Sequence, residues 1–165
     1  MCVTQGERLN KSVGEFGREA VGKLSNPSAS GQPEDQLRGP LGTLLQALAI
    51  EGGLPTGALN LVGESSLAAM NTRPDYAVTV HNALVGFIEV KAPGKGADPR
   101  RFKDKHDKAQ WDKLKALPNL LYTDGNSFSL WRDGKPARDI VRLSGDVETS
   151  GAKLAAPAAA ALLIC

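Results

Sequence analysis

Two apolar runs separated by two residues constrain this chain more than any other feature. In DYAVTV, residues 75–80, Tyr76, Val78 and Val80 alternate with Ala77 and Thr79, the period of a strand with one face turned to a core. In LVGFIEV, residues 84–90, the side chains are almost continuously apolar, which is the pattern of a central strand. His81-Asn82 between them is a connection of the length that hairpins use. A sheet is therefore required, and a sheet must bury its apolar face against another layer.

The rest of the chain supplies that layer. Leu9, Val13, Phe16, Ala20, Val21 and Leu24 recur at helical spacing and predict a helix over residues 7–24. NPSASGQP then interrupts all periodicity. From Pro33, the residues Leu37, Leu41, Leu44, Leu45 and Leu48 share one helical face, closed by Gly52-Gly53. Pro40 removes a hydrogen bond inside that helix, so it is either kinked or begins after Pro33. ALNLV at 58–62 precedes the hairpin as a further strand. DPRRFKDKHDKAQWDKLKAL, residues 98–117, predicts a helix with Asp98 as N-cap, Pro99 at its first position and Pro118 beyond its end. NLLYTDG and SFSLWRDG follow as strands closed by Asp-Gly turns, with ARDIVRL as an edge strand.

The order is helix, three strands, helix and two or three strands, and the expected class is α/β, more loosely α+β, with helices flanking a mixed central sheet. The expected division is an N-terminal helix and linker at 1–32, a core at 33–145 and an apolar tail at 146–165. The tail packs on the core, meets a partner or begins a longer region.

With 165 residues the chain fits one domain, and 41% hydrophobic and 23% charged residues exclude a disordered or membrane-embedded composition. The tail AAPAAAALLIC is far shorter than the roughly 20 residues of a spanning helix. MCVTQGERLNK has no apolar stretch behind its charges, so it does not read as a secretory signal, and a cytoplasmic location is expected. Cys2 and Cys165 stand at opposite ends and form no disulfide framework, so both are read as reduced. A net charge of +2 does not mark a nucleic-acid binder, because clustering matters more than the total.

The chemistry concentrates where the hairpin ends. Asp75 opens the first arm, and Glu89 and Lys91 lie two apart at the end of the second, so their side chains share a face while Val90 takes the other. A tight turn can bring Asp75 to the same place. Two carboxylates can hold a hard divalent cation that clamps a phosphate and activates water. A lysine beside them can deprotonate that water if its pKa is depressed, or stabilise developing charge if it stays protonated. An isolated E-x-K is usually a surface ion pair. Here Glu89 directly follows Phe87-Ile88, where a solvated face is out of place and an unpaired charge is costly.

RPDYAVTVHNALVGFIEVKAPG resembles the signature of the PD-(D/E)XK nuclease superfamily, with Pro74-Asp75 as its first half and Glu89-Val90-Lys91 as its second. The resemblance covers about residues 33–134 and extends to the order of elements. It implies a restriction-endonuclease-like core, a Mg²⁺-dependent deoxyribonuclease activity in which Mn²⁺ substitutes, and a catalytic set of Asp75, Glu89, Lys91 and Gln110. Gln110 matches the glutamine often found on the helix after the lysine strand. Asp75 and Glu89 become metal ligands. The superfamily often adds a helix acid, which Glu34 matches best, with Glu51 and Glu64 as poorer candidates. The run from Lys91 to Gly134, with its Thr123-Asp124-Gly125 turn, looks like nuclease domains at the N-terminus of some restriction enzymes and restriction–modification methyltransferases.

DNA is accordingly the expected partner, with Arg73, Lys95, Arg100, Arg101, Lys103 and Lys105 as candidate phosphate contacts around the site. Asp98, Asp104, Asp107 and Asp112 dilute that charge, and a solvated mixed-charge helix is the competing reading. A methyltransferase or DNA-recognition domain or subunit, and a homodimer, are the other assemblies the resemblance allows. Gly94-Lys95-Gly96 is not a Walker A loop, and His81 and His106 lack zinc-ligand spacing. Two alternatives to an active restriction or phage-defence nuclease remain: a catalytically silent DNA-binding or assembly module, and a fragment of a nuclease–methyltransferase fusion.

Overall fold

The computed structural model describes residues 4–63 and 72–157. The chain divides into two compact units, one formed by Met1–Gly57 with Val141–Cys165 and the other by Ala58–Ile140. Cys2, Glu64, Cys165 and the end of the apolar tail lie outside the described residues.

In the first unit, helix α1 spans Gln5–Leu24. Thr4 caps it by a reciprocal pair of bonds: the Glu7 amide donates to Thr4 Oγ1 at 3.2 Å, and the Thr4 amide donates to Glu7 Oε2 at 2.6 Å. Leu9, Val13, Phe16 and Ala20 are buried along one face, as their spacing predicts. Helix α2 spans Pro33–Glu51 and contains Pro40, buried, within its length. The alternative of a later start is thereby removed. Pro33 opens the helix where no N–H is needed, while Pro40 withholds the donor that the Gln36 carbonyl would otherwise use. Ser12 Oγ donates to Glu51 Oε1 at 2.6 Å and ties the two helices together.

Among the described residues, the second unit holds six strands in the spatial order of the sequence: β1 (Leu59–Gly63), β2 (Tyr76–Val80), β3 (Ala83–Val90), β4 (Leu120–Thr123), β5 (Ser127–Arg132) and β6 (Lys135–Pro136). Each neighbouring pair in that order is antiparallel except β3 with β4, which is parallel. This mixed α+β arrangement is compatible with the restriction-endonuclease-like core expected from the sequence. His81 and Asn82 adopt φ of 49° and 66°, the left-handed conformation that a type I′ hairpin turn takes at both positions. The parallel pair needs a crossover, and it carries helix α3 at Lys105–Leu114.

The single helix expected over 98–117 is not what forms. Asp98 caps only a 3₁₀ turn at Pro99–Arg101, Phe102 is extended at φ −63° and ψ 137°, and α3 starts afresh with Asp104 as its N-cap. Phe102 explains the break: it is 5% exposed and sits in the core with Phe87, Leu114, Leu120, Tyr122 and Trp131. Burying that ring offsets the loss of about one helical turn. Trp111 closes the cluster edge-on, with centroids 5.9 Å from Tyr122 and 4.9 Å from Trp131.

Candidate active site

Strand alternation places Phe87, Glu89 and Lys91 on one side of β3 and its extension, the side covered by the aromatic core. Glu89 and Lys91 are buried, at 4% and 6% exposure. Lys91 Nζ donates to Glu89 Oε1 at 3.0 Å, to Asp107 Oδ1 at 2.9 Å and to Gln110 Oε1 at 2.6 Å. Asp75 stands immediately before β2, and its Oδ2 accepts the Val90 amide at 2.7 Å, which fixes it beside Glu89 across the hairpin. The structure thus brings together all four residues expected to form the catalytic set.

It adds one that the sequence reading passed over. Asp107 counted there only as a diluting charge, yet it is 3% exposed. With Gln110, Trp111 and Leu114 it forms the inward stripe of α3 at spacings i, i+3, i+4 and i+7, while the intervening residues are exposed. Helical phase was the signal that could have found it. Its Oδ2 pairs with Lys95, so one carboxylate holds two ammonium groups.

Burial dominates the electrostatics. It pushes the Glu89 carboxyl up to about 7, opposed by the Lys91 charge and reinforced by that of Asp75. Lys91 is pulled down by burial, but Glu89 and Asp107 more than offset this and leave it above an ordinary lysine. The ammonium therefore stays protonated in this state. Burial also raises Asp107, yet Lys95 and Lys91 hold its carboxyl below the usual range. Glu89 Oε2 is buried with no hydrogen-bond partner among the described residues, and so is the Tyr122 hydroxyl, opposite Glu89 in the β3–β4 register.

Asp124 supports the site from the β4–β5 turn. Its Oδ1 accepts the Asn126 and Ser127 amides at 3.0 and 2.9 Å, and its Oδ2 accepts the Gly96 amide at 2.8 Å. The loop after Lys91 is thereby anchored to the strand that Lys91 itself joins, through the bond from its amide to the Thr123 carbonyl at 2.8 Å.

The fold has a solved counterpart. A chain in a cryo-EM structure of a DrdV–DNA complex matches this one with a TM-score of 0.58 over 94% of this chain and 96% of that chain, at 19% sequence identity. The two share a fold. No family model matches the chain, and no curated protein does.

The basic residues divide by environment. Arg73, Arg101, Lys103 and Lys105 are exposed, and Lys95 is half-exposed on Asp107. Arg100 is already occupied: its Nε and Nη2 donate to Asp98 at 2.9 and 2.8 Å, and its guanidinium lies 4.9 Å from the centre of the Trp131 ring. Among the possible further metal ligands, Glu34 stands half-buried in the first turn of α2, and Glu51 is engaged by Ser12. Among the described residues there is no group of three or more His, Cys, Asp or Glu side chains placed to hold a metal, and no helix is long and apolar enough to cross a membrane.

Proposed function

We propose that this chain is a metal-dependent DNA endonuclease domain that hydrolyses phosphodiester bonds. The observation that carries this reading is the buried, unpartnered Oε2 of Glu89, set beside Asp75 and a saturated Lys91. A carboxylate oxygen desolvated without a partner is unfavourable unless a cation completes it. Mg²⁺ suits two carboxylates, because it keeps several waters and needs only one or two protein oxygens. Asp75 and Glu89 would hold it, with Mn²⁺ as a substitute. When bound, such an ion polarises the phosphate and lowers the pKa of a water.

The chain's own groups then have separate tasks. Lys91, protonated and fixed by three acceptors, supplies positive charge where the pentavalent phosphate gathers negative charge. Gln110 orients that ammonium from α3. Arg73, Lys95, Arg101, Lys103 and Lys105 would gather the flanking phosphates. The shared fold with a chain of a DNA complex supports DNA as the partner. The reading extends to a cytoplasmic restriction–modification or phage-defence system, with a methyltransferase or DNA-recognition domain or subunit, or a second copy of this chain, as partner.

The test is single-turnover cleavage of plasmid and linear duplex with Mg²⁺ or Mn²⁺. Lys91→Ala is expected to slow cleavage by about 10²–10⁴-fold while DNA affinity stays close to wild type, the loss typical of removing one positioned catalytic group. A mutant as fast as wild type defeats the mechanism. A wild type that binds DNA but cuts under no condition identifies a silent binding module.

A further inference from the structure

We propose that Asp107 is a positioning residue: from the inner face of α3 it fixes the ammonium of Lys91 in the reaction centre with one oxygen and that of Lys95 at its edge with the other. The proposal rests on the nuclease reading for its consequence, but its geometric content stands apart from it. An ammonium has three N–H donors, and those of Lys91 meet three acceptors, Glu89 Oε1, Asp107 Oδ1 and Gln110 Oε1, at 2.6 to 3.0 Å. Two of the three come from α3, one turn apart, so the helix rather than the strand bearing Lys91 sets where Nζ lies. When Glu89 is engaged elsewhere, Asp107 and Gln110 still hold Nζ at two points and leave one N–H directed away from the helix.

A solvated charge would not be built this way. Asp107 is as buried as the neighbouring core residues, and a buried carboxylate is tolerated only with compensating charge. Both its oxygens are committed to lysines of the same short loop, Lys91 and Lys95. That loop is held from its other side by Asp124 through the Gly96 amide. Lys95 remains 39% exposed, so it can face a phosphate while staying registered to the buried acid. A group acting through another in this way typically changes rate by about 10–100-fold, as outer-shell partners of metal sites do.

The experiment uses the full chain and compares wild type, D107N, D107E, K91A and the D107N/K91A double variant. D107N is expected to cleave about 10–100-fold more slowly with unchanged Mg²⁺ dependence. In the K91A background the same change should cost clearly less than in the wild type, leaving only the part that acts through Lys95, because coupled residues are non-additive. D107E keeps the charge but moves it by one methylene, and is expected to be slowed as well. A D107E rate equal to wild type, or full multiplication of the two losses in the double variant, overturns the proposal. An activity-independent readout is the ¹⁵N-ammonium resonance of Lys91, expected to be slowly exchanging in wild type and lost to exchange in D107N. If that signal behaves as expected in a protein that never cleaves, positioning holds and the nuclease reading falls. If the signal is unaltered in folded D107N, positioning falls whatever the activity. Should D107N not fold, D107E carries both measurements.

Discussion

Glu89 shows how a single buried group ties stability to chemistry. Its folded carboxyl titrates at about 7, above the 4.5 of an unperturbed glutamate. A raised pKa means that the folded state holds the proton more tightly, so this contribution is fully present below pH 4.5 and is lost as pH rises through 7. The metal-free protein is therefore expected to lose about 1–3 kcal/mol of stability from this residue between pH 5 and pH 8. Glu89→Gln should flatten that slope, and added Mg²⁺ should restore stability at pH 8 in wild type but not in E89Q. Guanidinium unfolding at the two pH values, with and without the ion, measures both effects. Asp107 acts in the opposite sense: its lowered pKa makes its contribution present above ordinary carboxylate titration and lost in acid. At this scale much was legible in the sequence. Period-two alternation places Glu89 and Lys91 on one face, but a two-residue turn alone would set Asp75 opposite Ile88; the register shift between Val78 and Thr79 moves it to Glu89, and that irregularity left no signal in the sequence. Asp107 was not legible by charge counting, since an aspartate on a lysine-rich helix looks solvated until the helix's inward phase is known.

Among the elements, α1 shows where a helix tolerates a side chain and where it does not. A Cβ built on Gly17 would lie 2.1 Å from the Gly151 carbonyl oxygen and 2.7 Å from Leu154 Cβ, whereas one on Gly22 meets nothing within 4 Å. Gly17→Ala is expected to destabilise by about 1–3 kcal/mol through overpacking. Gly22→Ala should stabilise by about 0.5–1 kcal/mol, because it removes backbone freedom from the unfolded chain at an open site. Thermal melts followed by circular dichroism separate the two signs. Elements were legible where local pattern and packing agree, as in α1 and the β2–β3 hairpin. They were not where burial overrode local preference. The segment from Asp98 to Leu117 reads as one helix from its caps, but Phe102 takes an extended conformation to enter the core, and Asp104 then restarts the helix. Pro40 is the converse, a residue that argues for a later start and is nonetheless carried inside α2.

For the whole molecule, the net charge of +2 is small, so any affinity for phosphates must come from a few exposed cations. If the proposed reading holds, the exposed Arg73, Arg101, Lys103 and Lys105, with Lys95, would offer about five cations to phosphates, and the affinity for duplex DNA should fall with salt at a log–log slope of about −4 to −5. Fluorescence anisotropy across 50–200 mM salt, roughly the range over which such contacts weaken most, tests this. Arg101→Ala should reduce the slope by about 1, as for one phosphate contact. Arg100→Ala should reduce it less, because Asp98 and Trp131 already occupy that guanidinium.

The parallel pairing of β3 with β4 also sets a sequence of events. The β2–β3 hairpin joins neighbours across two residues and can close in about 1–10 μs. The β3–β4 contact must wait for the crossover that includes α3 to fold back, and its loop entropy has to be met before any pairing is gained. Asp75 and Glu89 therefore meet early in folding, as two like charges on a bare ribbon. The arrangement that locks Lys91 in place needs the helix bearing Asp107, so it is expected to be completed only after the hairpin has closed.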